Sequence, residues 1–159
     1  MGTTETKKMR VGVVGCGAIS DIYLTNMIHN FENLEVAACC AGHLEHAKKK
    51  AEQYGIKGCT YEEILADPSI EMVVILTPAP THEGLIRQAL EAGKHVICEK
   101  PVALSLADLD EMIAAAQKSG ALFTTHQNRR WDVDFLAMKQ IAASGEIGPV
   151  LRLESRIHG

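Results

Sequence analysis

Two glycines, Gly15 and Gly17, stand where an apolar run ends and an amphipathic stretch begins, in Val11-Gly12-Val13-Val14-Gly15-Cys16-Gly17-Ala18-Ile19-Ser20. The first permits a tight turn. The second, lacking a side chain, lets a pyrophosphate approach the backbone at a helix start, where free N–H groups and the helix dipole favour an anion. Gly15, Gly17, Ala18, Ile19 and Ser20 are therefore candidates to hold a dinucleotide. Ser20 replaces the third glycine of such motifs, and a small residue suffices there for close packing. A tight βα turn that binds no phosphate is the competing interpretation, and the strand and helix around the glycines favour the cradle.

A dinucleotide whose adenosine ribose keeps its 2′-OH is held by a carboxylate about twenty positions further on. Cys39-Cys40-Ala41-Gly42-His43 has none. Nothing acidic would then repel a 2′-phosphate, so NADP is favoured over NAD, with Ala41, Gly42, His43 and His46 around it. The two histidines are equally well explained as exposed residues at a helix start. The missing acid also counts against a methyltransferase, whose cofactor ribose wants the same carboxylate.

Glu99-Lys100-Pro101 follows another apolar run. A lysine at the carboxyl end of a strand in an open α/β sheet sits where ligands bind, and can donate or relay a proton beside a nicotinamide, with Glu99 as its electrostatic partner. Spacing alone allows an ordinary surface ion pair just as well. Thr77, Pro78 and His82, with Gln127-Asn128-Arg129-Arg130-Trp131, fall at the ends of neighbouring apolar runs and converge on the same rim. For His82 the plainer role is a helix start, and for Trp131 it is packing.

The elements that must position these residues alternate strand and helix, which implies βαβ units and a parallel sheet. Strands are expected over Met9 to Val14, Leu34 to Cys40, Met72 to Leu76, His95 to Cys98 and Leu122 to Thr125, within a sheet of six. Helical stripes run through Ile19, Ile22, Tyr23 and Met27, through Leu44, Ala47, Ala51 and Tyr54, through Leu85, Ile86, Ala89 and Leu90, and through Leu109, Met112, Ile113 and Ala116. Thr60 and Glu63 have capping-box spacing for a helix from Tyr61 to Ala66, and Ser105 caps another. One more helix is expected from about Asp132 to Ala143. After Gly148-Pro149 the chain alternates strictly from Leu151 to Ile157, the pattern of a half-buried antiparallel strand. Such a strand needs a sheet, so the chain is expected to be the front part of a longer protein: a disordered leader over 1–8, a dinucleotide-binding domain over 9–148, and the start of a second domain over 149–159.

Sixteen basic against twenty acidic residues leave a net charge of -4 over 159 residues, without the basic stripe a nucleic-acid partner would require. The five cysteines are odd in number and form no C-x-x-C pair, which fits reduced buried thiols in a cytoplasmic protein better than disulfides or a zinc site. No apolar run approaches the length of a membrane span. None of Tyr23, Tyr54 and Tyr61 is followed by a lysine four residues on, which disfavours short-chain dehydrogenase chemistry.

Together, Gly-Cys-Gly-Ala-Ile-Ser, Thr77-Pro78 with His82, Glu91-Ala92-Gly93-Lys94-His95-Val96 leading to Glu99-Lys100-Pro101, Asn128-Arg129-Arg130 and Gly145-Glu146-Ile147-Gly148-Pro149-Val150 resemble the Gfo/Idh/MocA family of NAD(P)-dependent oxidoreductases, over residues 9 to 157. The resemblance implies a doubly wound α/β Rossmann domain, followed by an α/β domain whose open sheet holds a sugar or cyclitol substrate and mediates homo-oligomerisation. It implies Lys100 at the active site, and Thr77, Pro78, His82, Glu99, Lys100, Asn128, Arg129 and Trp131 beside the cofactor. The family's second catalytic element, an Asp and a His on a helix of the following domain, has no counterpart in this chain. A dinucleotide-sensing regulator of the same fold is the alternative, and retention of Glu99-Lys100-Pro101 favours the enzyme.

Overall fold

A computed structural model describes residues 7–156. Most of the expected leader, together with Ile157 and His158 of the alternating segment, lies outside the described residues. The strands are β1 (Met9–Val14), β2 (Leu34–Cys40), β3 (Lys57–Cys59), β4 (Met72–Ile75), β5 (His95–Cys98) and β6 (Phe123–Thr125). All pair in parallel, in the order β3-β2-β1-β4-β5-β6. This is the doubly wound α/β sheet expected from the alternation. The chain winds outwards in opposite directions from β1 and β4, which opens a crevice at their carboxyl ends, where such sheets bind ligands.

Helices α1 (Ser20–Asn30), α2 (Leu44–Tyr54), α3 (Tyr61–Ala66), α4 (His82–Glu91) and α5 (Leu106–Ser119) connect the strands. The sheet is packed on both faces. One layer joins Val11, Val13, Val36 and Val74 to Leu24 of α1 and Ala51 of α2, and the other joins Val73, Ile75 and Val96 to Ile64 of α3, Ile86 of α4 and Met112 of α5. Burial on both faces is why β4 reads as an unbroken apolar run rather than an alternation. The expected capping box forms, with the Thr60 hydroxyl accepting from the Glu63 amide and the Glu63 carboxylate accepting from the Thr60 amide. The Ser105 hydroxyl likewise accepts from the Asp108 amide.

Several expectations are corrected. β3 is a three-residue edge strand outside the runs singled out in the sequence, β4 stops at Ile75, and β6 begins at Phe123. On α1 the buried face is Ser20, Leu24 and Met27, while Ile22 turns outward. On α5 only Met112 is buried and Ile113 is exposed. Position along the groove between helix and sheet, as well as helical period, decides which side chains reach the core.

The chain separates into one compact unit ending at His126 and another beginning at Gln127. The second contains a 3-10 turn, Asn128–Trp131, and α6 (Val133–Ser144), with Asp132 at its N-cap position. Residues 149–156 form no strand, contrary to the expectation from their alternation. Among the described residues none pairs with them as a neighbouring strand, and a lone strand leaves its backbone groups without partners. No helix among the described residues is long and apolar enough to cross a membrane.

Candidate functional site

β1 delivers the chain to the crevice, and Gly15 turns it there. Its φ of +107° suits glycine alone, and a Cβ would stand 3.0 Å from the Leu76 carbonyl carbon. The Gly15 amide donates to the Cys40 carbonyl at 2.9 Å, which ties the turn to the end of β2. Ser20 is buried, and its hydroxyl donates to the Gly17 carbonyl at 2.6 Å. It therefore braces the loop from beneath. Gly17 differs from Gly15 in that a Cβ there would meet no protein atom within 4 Å. Its missing side chain leaves room in the cleft and serves no internal contact.

Among the described residues, no acceptor takes the amide hydrogens of Gly17, Ala18 or Ile19. Three consecutive free donors before α1, beside a position kept clear of side chain, suit a pyrophosphate. The cleft they border has a volume of about 550 Å³. Gly15, Gly17, Ala18, Ile19, Ala41, Gly42, His46, Thr77 and Pro78 line it, and so do Cys16 and Leu76, which the sequence had not marked as site residues. His43 occupies the N-cap position of α2 without a side-chain capping bond and is exposed, with its ring edge-on to that of His46 at 5.5 Å between centroids. His46 lines the cleft and His43 does not. No carboxylate lines it either.

His82 is buried. Its ring nitrogens lie 2.7 Å from the Thr77 carbonyl and 2.8 Å from the Pro101 carbonyl, so the ring bridges the loops that follow β4 and β5. This fixes the rim and leaves no ring nitrogen for a ligand. In the structure His82 acts as a brace between these loops.

Glu99 is only 8% exposed, and both its oxygens are engaged. Oε1 accepts from the Tyr23 phenol at 2.5 Å and Oε2 from the Lys100 amide at 2.9 Å, while His126 Nδ1 lies 3.3 Å from Oε1 and against the Tyr23 hydroxyl. Burial pushes the Glu99 carboxyl up, but the bonds from Tyr23, Lys100 and His126 outweigh it and hold the group below its ordinary value. Burial, with Glu99 as neighbour, pushes the Tyr23 phenol far up, so it stays protonated and keeps donating. The expected ion pair from Glu99 to its lysine is absent from the structure. Glu99 instead grips the backbone of Lys100, whose side chain is exposed.

Tyr23 and His126 had escaped the sequence analysis as site residues. His126 follows β6 directly and could have been found from the convergence of strand ends. Tyr23 looked like one more apolar position on α1. Asn128, Arg129 and Trp131 belong to the second unit, where Arg129 pairs with Asp132 at 2.9 Å and Trp131 is exposed. The cleft described above is lined by first-unit residues alone.

Comparison with known proteins agrees with this fold. The model of the GFO_IDH_MocA oxidoreductase family, NAD-binding Rossmann fold, matches residues 9–127. An uncharacterised oxidoreductase of Bacillus subtilis, YrbE, is 34% identical over 155 residues, covering 95% of this chain and 45% of its own length. The myo-inositol 2-dehydrogenase of Thermotoga maritima is 33% identical over 152 residues, covering 93% of this chain and 45% of the relative. The crystal structure of an NAD-binding protein from Listeria innocua superposes with a TM-score of 0.83 at 39% identity, covering 90% of this chain and 42% of that one. The chain thus spans less than half the length of each of these relatives.

Proposed function

The chain belongs to the Gfo/Idh/MocA oxidoreductase family through an NAD(P)-binding Rossmann domain, and from that premise we propose that it is the cofactor half of an enzyme moving hydride between NADP and a hydroxyl or carbonyl carbon of a sugar or cyclitol. The observation that carries this reading is the row of free amides at Gly17, Ala18 and Ile19, beside a cleft that Gly17 keeps open. Those amides would hold the pyrophosphate, and Ala41, Gly42 and His46 would surround the adenosine ribose and its 2′-phosphate. When bound, the nicotinamide supplies or accepts the hydride.

Lys100 gives or takes the proton at the reacting oxygen, because an alcohol losing hydride must also lose its O–H proton. Glu99 holds the Lys100 backbone, and the His82 bridge keeps the two flanking loops in register. A cyclitol or sugar is favoured by the likeness to myo-inositol 2-dehydrogenase.

The test uses the protein in which this chain is joined to its substrate-holding domain, assayed with NADP and NAD against a panel of cyclitols and sugars. Lys100→Ala should lower kcat by about 100-fold or more, the usual contribution of a positioned proton donor, with little change in cofactor affinity. Full activity in that variant would contradict the role of Lys100. Turnover on none of the panel would contradict the substrate class.

A further inference from the structure

We propose that His126 is a positioning residue for the reaction: its ring N–H acts through the Tyr23 hydroxyl and the Glu99 carboxylate to fix the Lys100 peptide, and with it the root of the Lys100 side chain. The catalytic consequence rests on the function proposed above. The chain of hydrogen bonds does not.

Three side chains meet here with few hydrogens to share. Glu99 is ionised at neutral pH and can only accept: its Oε2 takes the Lys100 amide hydrogen at 2.9 Å, and its Oε1 lies 2.5 Å from the Tyr23 hydroxyl. The phenol has a single hydrogen, and giving it to a buried, charged carboxylate makes a stronger bond than giving it to a neutral ring nitrogen. His126 Nδ1 also lies against the phenol oxygen, so it must be the donor there. A nitrogen without hydrogen would set one lone pair against another. The count therefore assigns the proton of the neutral ring to Nδ1, which stands 3.3 Å from Glu99 Oε1 as well. A second proton would go to Nε2, so imidazole and imidazolium present the same donor to Tyr23.

The backbone brings these groups together. The His126 amide donates to the Cys98 carbonyl and the Glu99 amide to the Ile75 carbonyl, each at 2.9 Å, which sets the two residues side by side just past β6 and β5. Tyr23 reaches them from α1, its ring edge-on to that of His126 at 5.0 Å between centroids. The groove beside them is lined by Met72, Val74 and Ile97, and its remaining polar side chains, Asn26 and Asn30, bond each other. Among the described residues, no other side chain competes for the Nδ1 hydrogen.

Lys100 is thereby held through its main chain. Glu99 takes its N–H, and the carbonyl of the next residue, Pro101, lies 2.8 Å from the His82 ring. The Lys100 side chain itself is exposed, so where its ammonium can reach depends on where its four-carbon stem is rooted. Proton transfer needs hydrogen-bond reach, and a displacement of about 1 Å can cost about a hundredfold in rate. Without the His126 donor, the phenol oxygen and Oε1 are each one hydrogen short and the grip on the Lys100 amide loosens. None of Tyr23, Glu99 and His126 lines the glycine cleft, so the loss falls on kcat rather than on dinucleotide binding.

Two variants separate the donor from the bulk of the ring. His126→Leu removes the donor, whereas His126→Asn restores an N–H one bond from Cγ, where Nδ1 stood. In the protein that joins this chain to its substrate-holding domain, assayed with NADP and NAD on the panel of cyclitols and sugars, His126→Leu should lower kcat at least about tenfold, with less than about a twofold change in dinucleotide KM. His126→Asn should recover most of that loss. In this chain alone, nitrogen NMR of the neutral His126 ring should show its proton on Nδ1. Exchange of the Lys100 amide hydrogen should quicken in His126→Leu and not in His126→Asn. A wild-type ring protonated on Nε2 would overturn the chain of bonds, and that spectrum needs no variant to fold. Unchanged kcat in His126→Leu, or equal losses in both variants, would overturn the positioning role. A wild type that turns over nothing on the panel would instead sink the proposed function, while the spectrum and the amide exchange still decide the bonds.

Discussion

Glu99 takes its properties from partners far away in the chain: Tyr23, 76 residues earlier, and His126, 27 residues later. Because its folded pKa lies below the ordinary 4.5, the stability it contributes is complete above that value and is lost as pH falls through the lower folded one. Tyr23→Phe removes a donor and lets the folded pKa climb back. That variant should lose about 1–2 kcal/mol at neutral pH and unfold at a higher pH in acid. Urea titrations at a series of pH values check this, and an unchanged acid limb would contradict it. Ala41 is a second position where one side chain decides a property. A carboxylate there would accept from a ribose 2′-OH and repel a 2′-phosphate, so Ala41→Asp should move the relative affinity towards NAD by about 1–3 kcal/mol, measured by calorimetry with both dinucleotides. The places of the glycine turn and of Lys100, just after β1 and β5, were legible in the sequence because local pattern fixes where a strand ends. Tyr23 was not, because its hydroxyl acts across the fold while its ring follows the helix pattern. His82 was placed on the rim and at a helix start, where α4 begins, but only the fold shows which carbonyls flank its ring.

Elements announced themselves when the run was mainly apolar or capped, as in β1, β4, β5 and the Thr60 helix. β3 did not, because Lys57-Gly58-Cys59 has no strand-like composition and owes its conformation to β2 and α2. Gly58 shows how close that contact is: a Cβ there would lie 2.6 Å from Lys48 Cα and 2.7 Å from its backbone nitrogen, on α2. Backbone cannot swing aside as a side chain can. Gly58→Ala should therefore destabilise the domain by about 1–3 kcal/mol, the range for forcing atoms into packed space. Gly84, within α4, has no atom within 4 Å of a Cβ, so Gly84→Ala should stabilise by about 0.5–1 kcal/mol through the unfolded chain. Denaturant curves of the two variants should shift in opposite directions, and shifts of the same sign would contradict this account of α2 and α4. The alternating segment after Gly148 failed as a prediction for a related reason. Alternation states which faces a strand would offer, and cannot supply the neighbour that makes it a strand.

At the scale of the molecule, opposed winding from β1 and β4 sets the crevice, and the loop of Gly15 to Ile19 fills its rim with unclaimed amides. Sequence pattern sufficed for this much, because doubly wound topology and glycine-turn chemistry are both local rules applied in series. The bracing by Ser20, His82 and Glu99 required the fold. The central claim is that the cleft at Gly17 receives a dinucleotide pyrophosphate, and one calorimetric comparison tests it most directly. Gly17→Asp places its Cβ where no protein atom lies within 4 Å, so the variant should unfold at the same temperature as the wild type while its carboxylate occupies the pyrophosphate position. The account predicts that the wild-type chain binds NADP and that the equally stable variant shows no binding heat. A Gly17→Asp chain that binds NADP as tightly as the wild type would contradict it.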